Sequence, residues 1–139
     1  MLKPRLIPSL LIEDGLVVKT TKFKDPKYIG DPINTVKIFN EKHVDEICVF
    51  DISATKDNHE PNYHLISDLA SQSRMPMCYG GGIKTVEQAR KIFNLGVEKI
   101  ALSSILFTNL EIIDQIASEV GSQSVVIVLD VKKRMLGGY

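Results

Sequence analysis

Gly80-Gly81-Gly82 and Ser103-Ser104 are the residues of this sequence best suited to bind an anion. Glycines lack a Cβ and expose backbone N–H groups, and adjacent serines add hydroxyl donors. Together they can hold a phosphate without any cationic side chain. On spacing alone, a plain tight turn explains the glycines equally well. There is no Gly-Lys-Ser/Thr for a P-loop, and Thr85 stands where a dinucleotide fingerprint has its third glycine, so a phosphate here would belong to a small metabolite. Asp51 and Asp130 end two other apolar runs. Arg5, Glu46 and Lys99 stand at the starts of such runs. They read as ordinary rim charges, the commoner case, or as an inward-facing ring whose members would need mutual pairing. His43, His59 and His64 are isolated from cysteines and carboxylates at ligand spacing, so neither a metal nor another cofactor is expected.

These groups meet only if the intervening chain brings them to common ends of a sheet. Met75 to Ser104 reads as one strand-helix-strand unit: MPMCY, the glycines, a helix-period segment, then VEKIAL running into the serines. Thr85 and Gln88 have capping-box spacing, Val86, Ala89 and Phe93 share a face, and Gly96 is placed to end the helix. Before it, Leu6 to Ile12 is an apolar run interrupted by Pro8, which a regular interior strand tolerates poorly. Glu13-Asp14-Gly15 makes a turn into a polar stretch to Gly30 carrying Lys19, Lys22, Lys24 and Lys27, a length typical of a lid or a disordered loop. Asp31-Pro32 opens a helix with Ile33, Val36 and Phe39 on one face. Glu46 to Ile52 is the second strand, followed by a polar connection (SATKDNHEPNY) and a helix carrying Leu65, Ile66 and Leu69. Thr108 and Glu111 suggest another capping box, Ile112, Ile113, Ile116 and Val120 an apolar face, Gly121 a helix end, and Val125 to Leu129 the fifth strand. The order is strand-helix four times and then a strand. That implies an α/β fold with a parallel sheet covered by helices, its ligands beyond the carboxyl ends of the strands. Leu11, Asp51, Gly82, Ser103, Ser104 and Asp130 all fall at those ends.

The 139 residues, 44% of them apolar, suffice for one domain with a core, taken here as residues 1–139. Seventeen basic and seventeen acidic residues cancel, which argues against a nucleic-acid surface; Lys132-Lys133-Arg134 reads as a solvated loop. Cys48 and Cys78, each inside an apolar run, fit buried thiols in a reducing compartment better than a disulfide framework. No run approaches membrane-spanning length and no secretory pattern opens the chain, so a cytoplasmic protein is expected.

Taken together, RLIPSLLIEDGLVVK, GDP at Gly30 to Pro32, FDISA at Phe50 to Ala54, GGGI at Gly80 to Ile83 and VLDVK at Val128 to Lys132 resemble the N-terminal half of the cyclase subunit of imidazole glycerol phosphate synthase. The resemblance implies about half of a parallel β/α barrel of the TIM type: four β/α units plus a fifth strand. It implies a reaction in which ammonia from a glutaminase partner closes the imidazole ring of a phosphorylated carboxamide intermediate of histidine synthesis. By the same resemblance Asp130 is the acid/base at the end of strand five. Gly82, Ser103 and Ser104 form one phosphate site, with Asp51 beside the substrate and Lys19 on its lid. Arg5, Glu46 and Lys99 match three members of an ammonia gate, and Glu98 and Gln123 fall where the family meets its glutaminase. In place of the family's strand-one aspartate stands Leu11, as in paralogues associated with surface-polysaccharide genes, which are thought to pass ammonia to a sugar amidotransferase. Three readings stay open: an active cyclase, an ammonia-conducting subunit, and an inactive half barrel with phosphate affinity. Half a barrel would leave strands one and five as unpaired apolar edges prone to self-association.

Overall fold

The computed structural model describes residues 3–22 and 24–131. In chain order the elements are β1 (Ser9–Glu13), β2 (Leu16–Thr21), β3 (Lys24–Gly30), α1 (Pro32–Glu41), β4 (Ile47–Asp51), α2 (Ile52–Lys56), α3 (Tyr63–Gln72), β5 (Met77–Gly80), α4 (Val86–Asn94), β6 (Lys99–Leu102), α5 (Glu111–Val120) and β7 (Val125–Ile127). They form one sheet in the order β3-β2-β1-β4-β5-β6-β7. Strands β1, β4, β5, β6 and β7 run parallel in sequence order, with helical crossovers between them. This is the expected partial β/α barrel.

Strand periodicity sorts the side chains onto two faces. Ile12, Ile47, Val49, Met77, Tyr79, Ile100 and Leu102 are buried, packing in one core with Val36, Ile66, Leu69, Ala89, Ile92 and Ile116 of the helices. The register rows Ser9–Cys48–Cys78–Lys99 and Leu11–Phe50–Gly80–Ala101 lie on the other face, which corresponds to a barrel interior. The helices start where their caps dictate. Asp31 accepts from the Asn34 amide at 2.8 Å, and Thr85 and Gln88 form the full capping box. Gly96 follows the end of α4 at φ 102°, and Gly121 ends α5 at φ 91°.

Four expectations are corrected. The lysine-bearing stretch is not a loop: Asp14-Gly15, both at positive φ, makes the two-residue turn of a hairpin, and β2 and β3 pair antiparallel with it. Strand one is therefore not an unpaired edge, because Leu11, Ile12 and Glu13 pair with Val18, Val17 and Leu16. The connection after strand two begins as helix α2, whose cap is Asp51 itself. The Thr108–Glu111 capping box does not form; α5 starts after Leu110 without a side-chain cap, and Thr108 ends a 3₁₀ turn over Ser104–Phe107. Pro8 acquires a reason: its carbonyl accepts from the Cys48 amide at 2.9 Å where the parallel ladder begins, so its missing donor interrupts no strand. Lys132-Lys133-Arg134 and the chain end at Tyr139 lie outside the described residues.

Candidate functional site

The carboxyl ends of the parallel strands surround a cavity of about 630 Å³. Its lining brings together Leu11, Asp51, Gly82, Ser103, Ser104 and Asp130, six residues from five strand ends. The glycines are there because nothing larger fits. A Cβ on Gly81 would stand 2.5 Å from the Asp51 carbonyl oxygen, and one on Gly82 would stand 3.0 Å from both the Ala54 Cβ and the His59 carbonyl oxygen. Gly81 and Gly82 also sit at φ 134° and 69°, a region that L residues rarely adopt. The tight turn and the anion-binding reading are thus compatible: the close packing is what leaves bare backbone facing the cavity. Ser103 is half-buried and Ser104 exposed, and no side chain caps the 3₁₀ turn that they start, which leaves their hydroxyls free of that duty.

Asp51 carries an architectural load that its sequence position did not announce. Its Oδ1 accepts from the Ser53 amide (3.0 Å), the Ala54 amide (3.0 Å) and the Ser53 hydroxyl (2.6 Å), anchoring α2 while the residue stays buried at the cavity wall. Asp130 is exposed at the cavity's far side, across from Leu11 on β1. Lys19 does not join this group. It is exposed on β2, paired with Lys27 of β3, and absent from the cavity lining. The His59 ring meets the Glu60 carbonyl oxygen at 2.7 Å, and His64 pairs with Asp68 at 3.1 Å on the surface.

Sequence reasoning missed Tyr79, whose buried hydroxyl has no hydrogen-bond partner among the described residues. Burial, then the neighbouring Asp51 charge and Tyr63, push its ionisation well above the ordinary phenol range, so it is a neutral donor at any physiological pH. A tyrosine closing the short apolar run MPMCY was the available signal.

At the opposite end of the sheet the three charges placed at strand starts do converge. Glu46, with its side chain 4% exposed, accepts from Arg5 Nη2 at 2.9 Å and from Lys99 Nζ at 3.0 and 2.8 Å. The bland rim reading fails for Glu46, since a buried carboxylate persists only with partners of this kind. Because Arg5 would remain and Lys99 is itself 30% exposed, Lys99→Met should cost less than loss of a fully buried partner, about 2 kcal/mol. Urea unfolding reads this as a lower midpoint at unchanged slope; a change below about 0.5 kcal/mol would mark the cluster as a solvent-screened rim. Glu98 and Gln123 are exposed at this same end, and Glu98 Oε2 also accepts from the Met77 amide at 2.7 Å, tying β6 to the start of β5.

No helix among the described residues is long and apolar enough to cross a membrane, and no group of three or more His, Cys, Asp or Glu among them is placed to hold a metal ion. A parallel β/α sheet with a glycine- and serine-lined mouth and an ion-paired floor defines the class: a partial barrel of the β/α type with a cavity at the strand carboxyl ends, where such folds place their ligands. Residues 5–138 match the histidine biosynthesis protein family, and the chain belongs to it. The chain is 58% identical over 137 residues to a Vibrio vulnificus protein named "Putative imidazole glycerol phosphate synthase subunit hisF3", covering 99% of this chain and 53% of that protein. It is 53% identical over 139 residues to a Pseudomonas aeruginosa protein with the corresponding name ending in hisF2, covering 100% and 55%. To a Leptospira borgpetersenii protein named as a HisF subunit it is 56% identical over 136 residues, covering 98% and 54%. The chain spans about half the length of these curated relatives.

Proposed function

We propose that this chain supplies the N-terminal half of a cytoplasmic, ammonia-handling subunit that resembles the imidazole glycerol phosphate synthase cyclase but does not close the imidazole ring. The observation that carries this reading is the combination of the ion-paired floor trio, Arg5–Glu46–Lys99, with an apolar Leu11 across the cavity from Asp130. Two carboxylates flanking a substrate can remove and deliver protons; leucine can do neither. A conduit needs the floor and the barrel but not both acids. In this reading Gly82, Ser103 and Ser104 bind one phosphate of a small-molecule ligand beside Asp51, and Lys19 reaches the ligand when the hairpin moves. A glutaminase docks at the face bearing Glu98 and Gln123. The ammonia passes to a sugar amidotransferase in surface-polysaccharide synthesis.

The test is ammonia-dependent turnover of the phosphoribulosyl carboxamide intermediate by this half assembled with the second half of a barrel. Turnover at about 1 per second or more, typical of enzymes, would overturn the conduit reading and restore the active cyclase.

A second reading, an inactive half barrel that binds phosphate and self-associates, is favoured by one observation. β7 is the last strand of the parallel row among the described residues, and Phe107, Ile127, Leu129 and Val131 are exposed on and around it. Unpaired apolar edges recruit further strands. The isolated chain is therefore expected to give a concentration-dependent mass in light scattering that Ile127→Lys returns to the monomer. A wild-type chain that stays monomeric throughout would remove this reading.

A further inference from the structure

We propose that Cys48 and Cys78 are a redox-active dithiol on the interior face of the sheet, which closes to an intramolecular disulfide by exchange with a small-molecule disulfide such as oxidised glutathione. Both are free thiols, and they are direct register partners on the adjacent parallel strands β4 and β5. Adjacent strands stand about 4.8 Å apart, within the roughly 4.4–6.8 Å that disulfides span between Cα atoms. Paired positions in a ladder project to the same face, so the two sulfurs need a change of side-chain rotamer and no strand movement. The expectation of two buried thiols holds only in part: Cys78 is 1% exposed, whereas Cys48 is half-buried on the open face.

This difference assigns the roles. With the interior face open, as in the chain alone, Cys48 can be reached by a small oxidant; Cys78 needs no route to solvent, because the only sulfur it must reach is that of Cys48. The neighbouring Cys78 thiol, helped by the Lys99 ammonium, holds the Cys48 thiol below its ordinary pKa range against the opposing effects of burial and Glu46. The neighbouring Cys48 and burial push the Cys78 thiol up. Cys48 is thus the attacking thiolate.

The exchange balances as follows. Cys48 thiolate attacks one sulfur of the oxidant, forming a mixed disulfide and releasing one small thiolate. Cys78, losing its proton, then attacks the Cys48 sulfur and releases the second. The protein gives up two electrons and two protons, and one disulfide becomes two thiols. The bridge would tie β4 to β5 one step from the floor, since Cys78 is also the register partner of Lys99, and Glu46 lies two residues before Cys48.

The experiment is titration of the folded chain with oxidised and reduced glutathione, read by intact mass and non-reducing peptide mapping. Wild type should lose two hydrogens and yield a Cys48–Cys78 cross-linked peptide. Cys78→Ser should instead hold a stable glutathione adduct on Cys48, and Cys48→Ser should react at least about tenfold more slowly. A comparison without substitutions uses the same chain in urea. Pre-placement should favour the disulfide in the folded state by at least about tenfold over the unfolded one. The proposal is overturned if folded wild type keeps both thiols where the unfolded chain oxidises, or if it gives only glutathione adducts or intermolecular bridges.

Discussion

Gly81→Ala is expected to destabilise the chain by about 4 kcal/mol or more, at the upper end of single-substitution effects. Two independent causes add. The added methyl carbon would meet the Asp51 carbonyl oxygen at 2.5 Å and the Asp51 Cβ at 2.9 Å, and both belong to the end of a central strand that cannot retreat without unpairing β1 or β5. In addition, φ 134° is a conformation that costs a residue with a side chain about 1–3 kcal/mol. Gly15→Ala is the internal control. Its φ is 79° and nothing lies within 4 Å of the built Cβ, so only the backbone preference acts, about 1 kcal/mol. Urea unfolding of both variants separates the causes. If Gly81→Ala were no worse than Gly15→Ala, the strand ends would not approach as closely as described, and the packing argument for the glycine run would fall.

Leu11→Asp is expected to raise ammonia-dependent cyclase turnover of the assembled barrel by about two to four orders of magnitude, the usual worth of one positioned acid or base. Leu11 and Asp130 sit near opposite ends of the parallel row, on β1 and just past β7, and line the same cavity. The Gly82, Ser103 and Ser104 group lies between them in the strand order, so a ligand whose phosphate it held would present its remaining atoms to both side chains. The fold should tolerate the change: Leu11 is half-buried and its neighbour Leu10, not Leu11, belongs to the core. The stability loss should stay near 1 kcal/mol. Recovery of turnover would identify an intact cyclase scaffold put to another use. A wild-type rate already typical of enzymes, unchanged by the substitution, would show that another group performs the missing proton transfer.

The parallel strands, their alternation with helices and the caps of α1 and α4 were legible because each rests on local chemistry: apolar runs of strand length, Asp31 before Pro32, Thr85 before Gln88. The mouth residues were legible for the same reason, since strand ends follow from strand runs. The hairpin was misread because its lysines look like loop. Its signal was Asp14-Gly15, the dipeptide that two-residue hairpin turns favour, and β3 escapes the strand pattern because an outer strand can be exposed throughout and can carry Pro26. The capping role of Asp51 was hidden because α2 has five residues, too few to show a period. At Thr108 the spacing was right, but the 3₁₀ turn after Ser103 uses up the residues that would have opened α5. Whether Arg5, Glu46 and Lys99 pair is a matter of register between strands distant in sequence, which no local pattern encodes.

The two margins of the sheet are unlike, and in the self-associating reading that asymmetry would set the stoichiometry. On one side β3 is exposed along nearly its whole length, with Lys24, Asp25, Pro26 and Lys27 blunting its first half beside the exposed Tyr28 and Ile29. On the other side β7 is apolar and bare among the described residues. In the self-associating reading proposed above, a molecule whose β7 border lacks the charges and proline that interrupt β3 would join a second copy border to border about a twofold axis, and its association would saturate at two chains rather than extend into filaments.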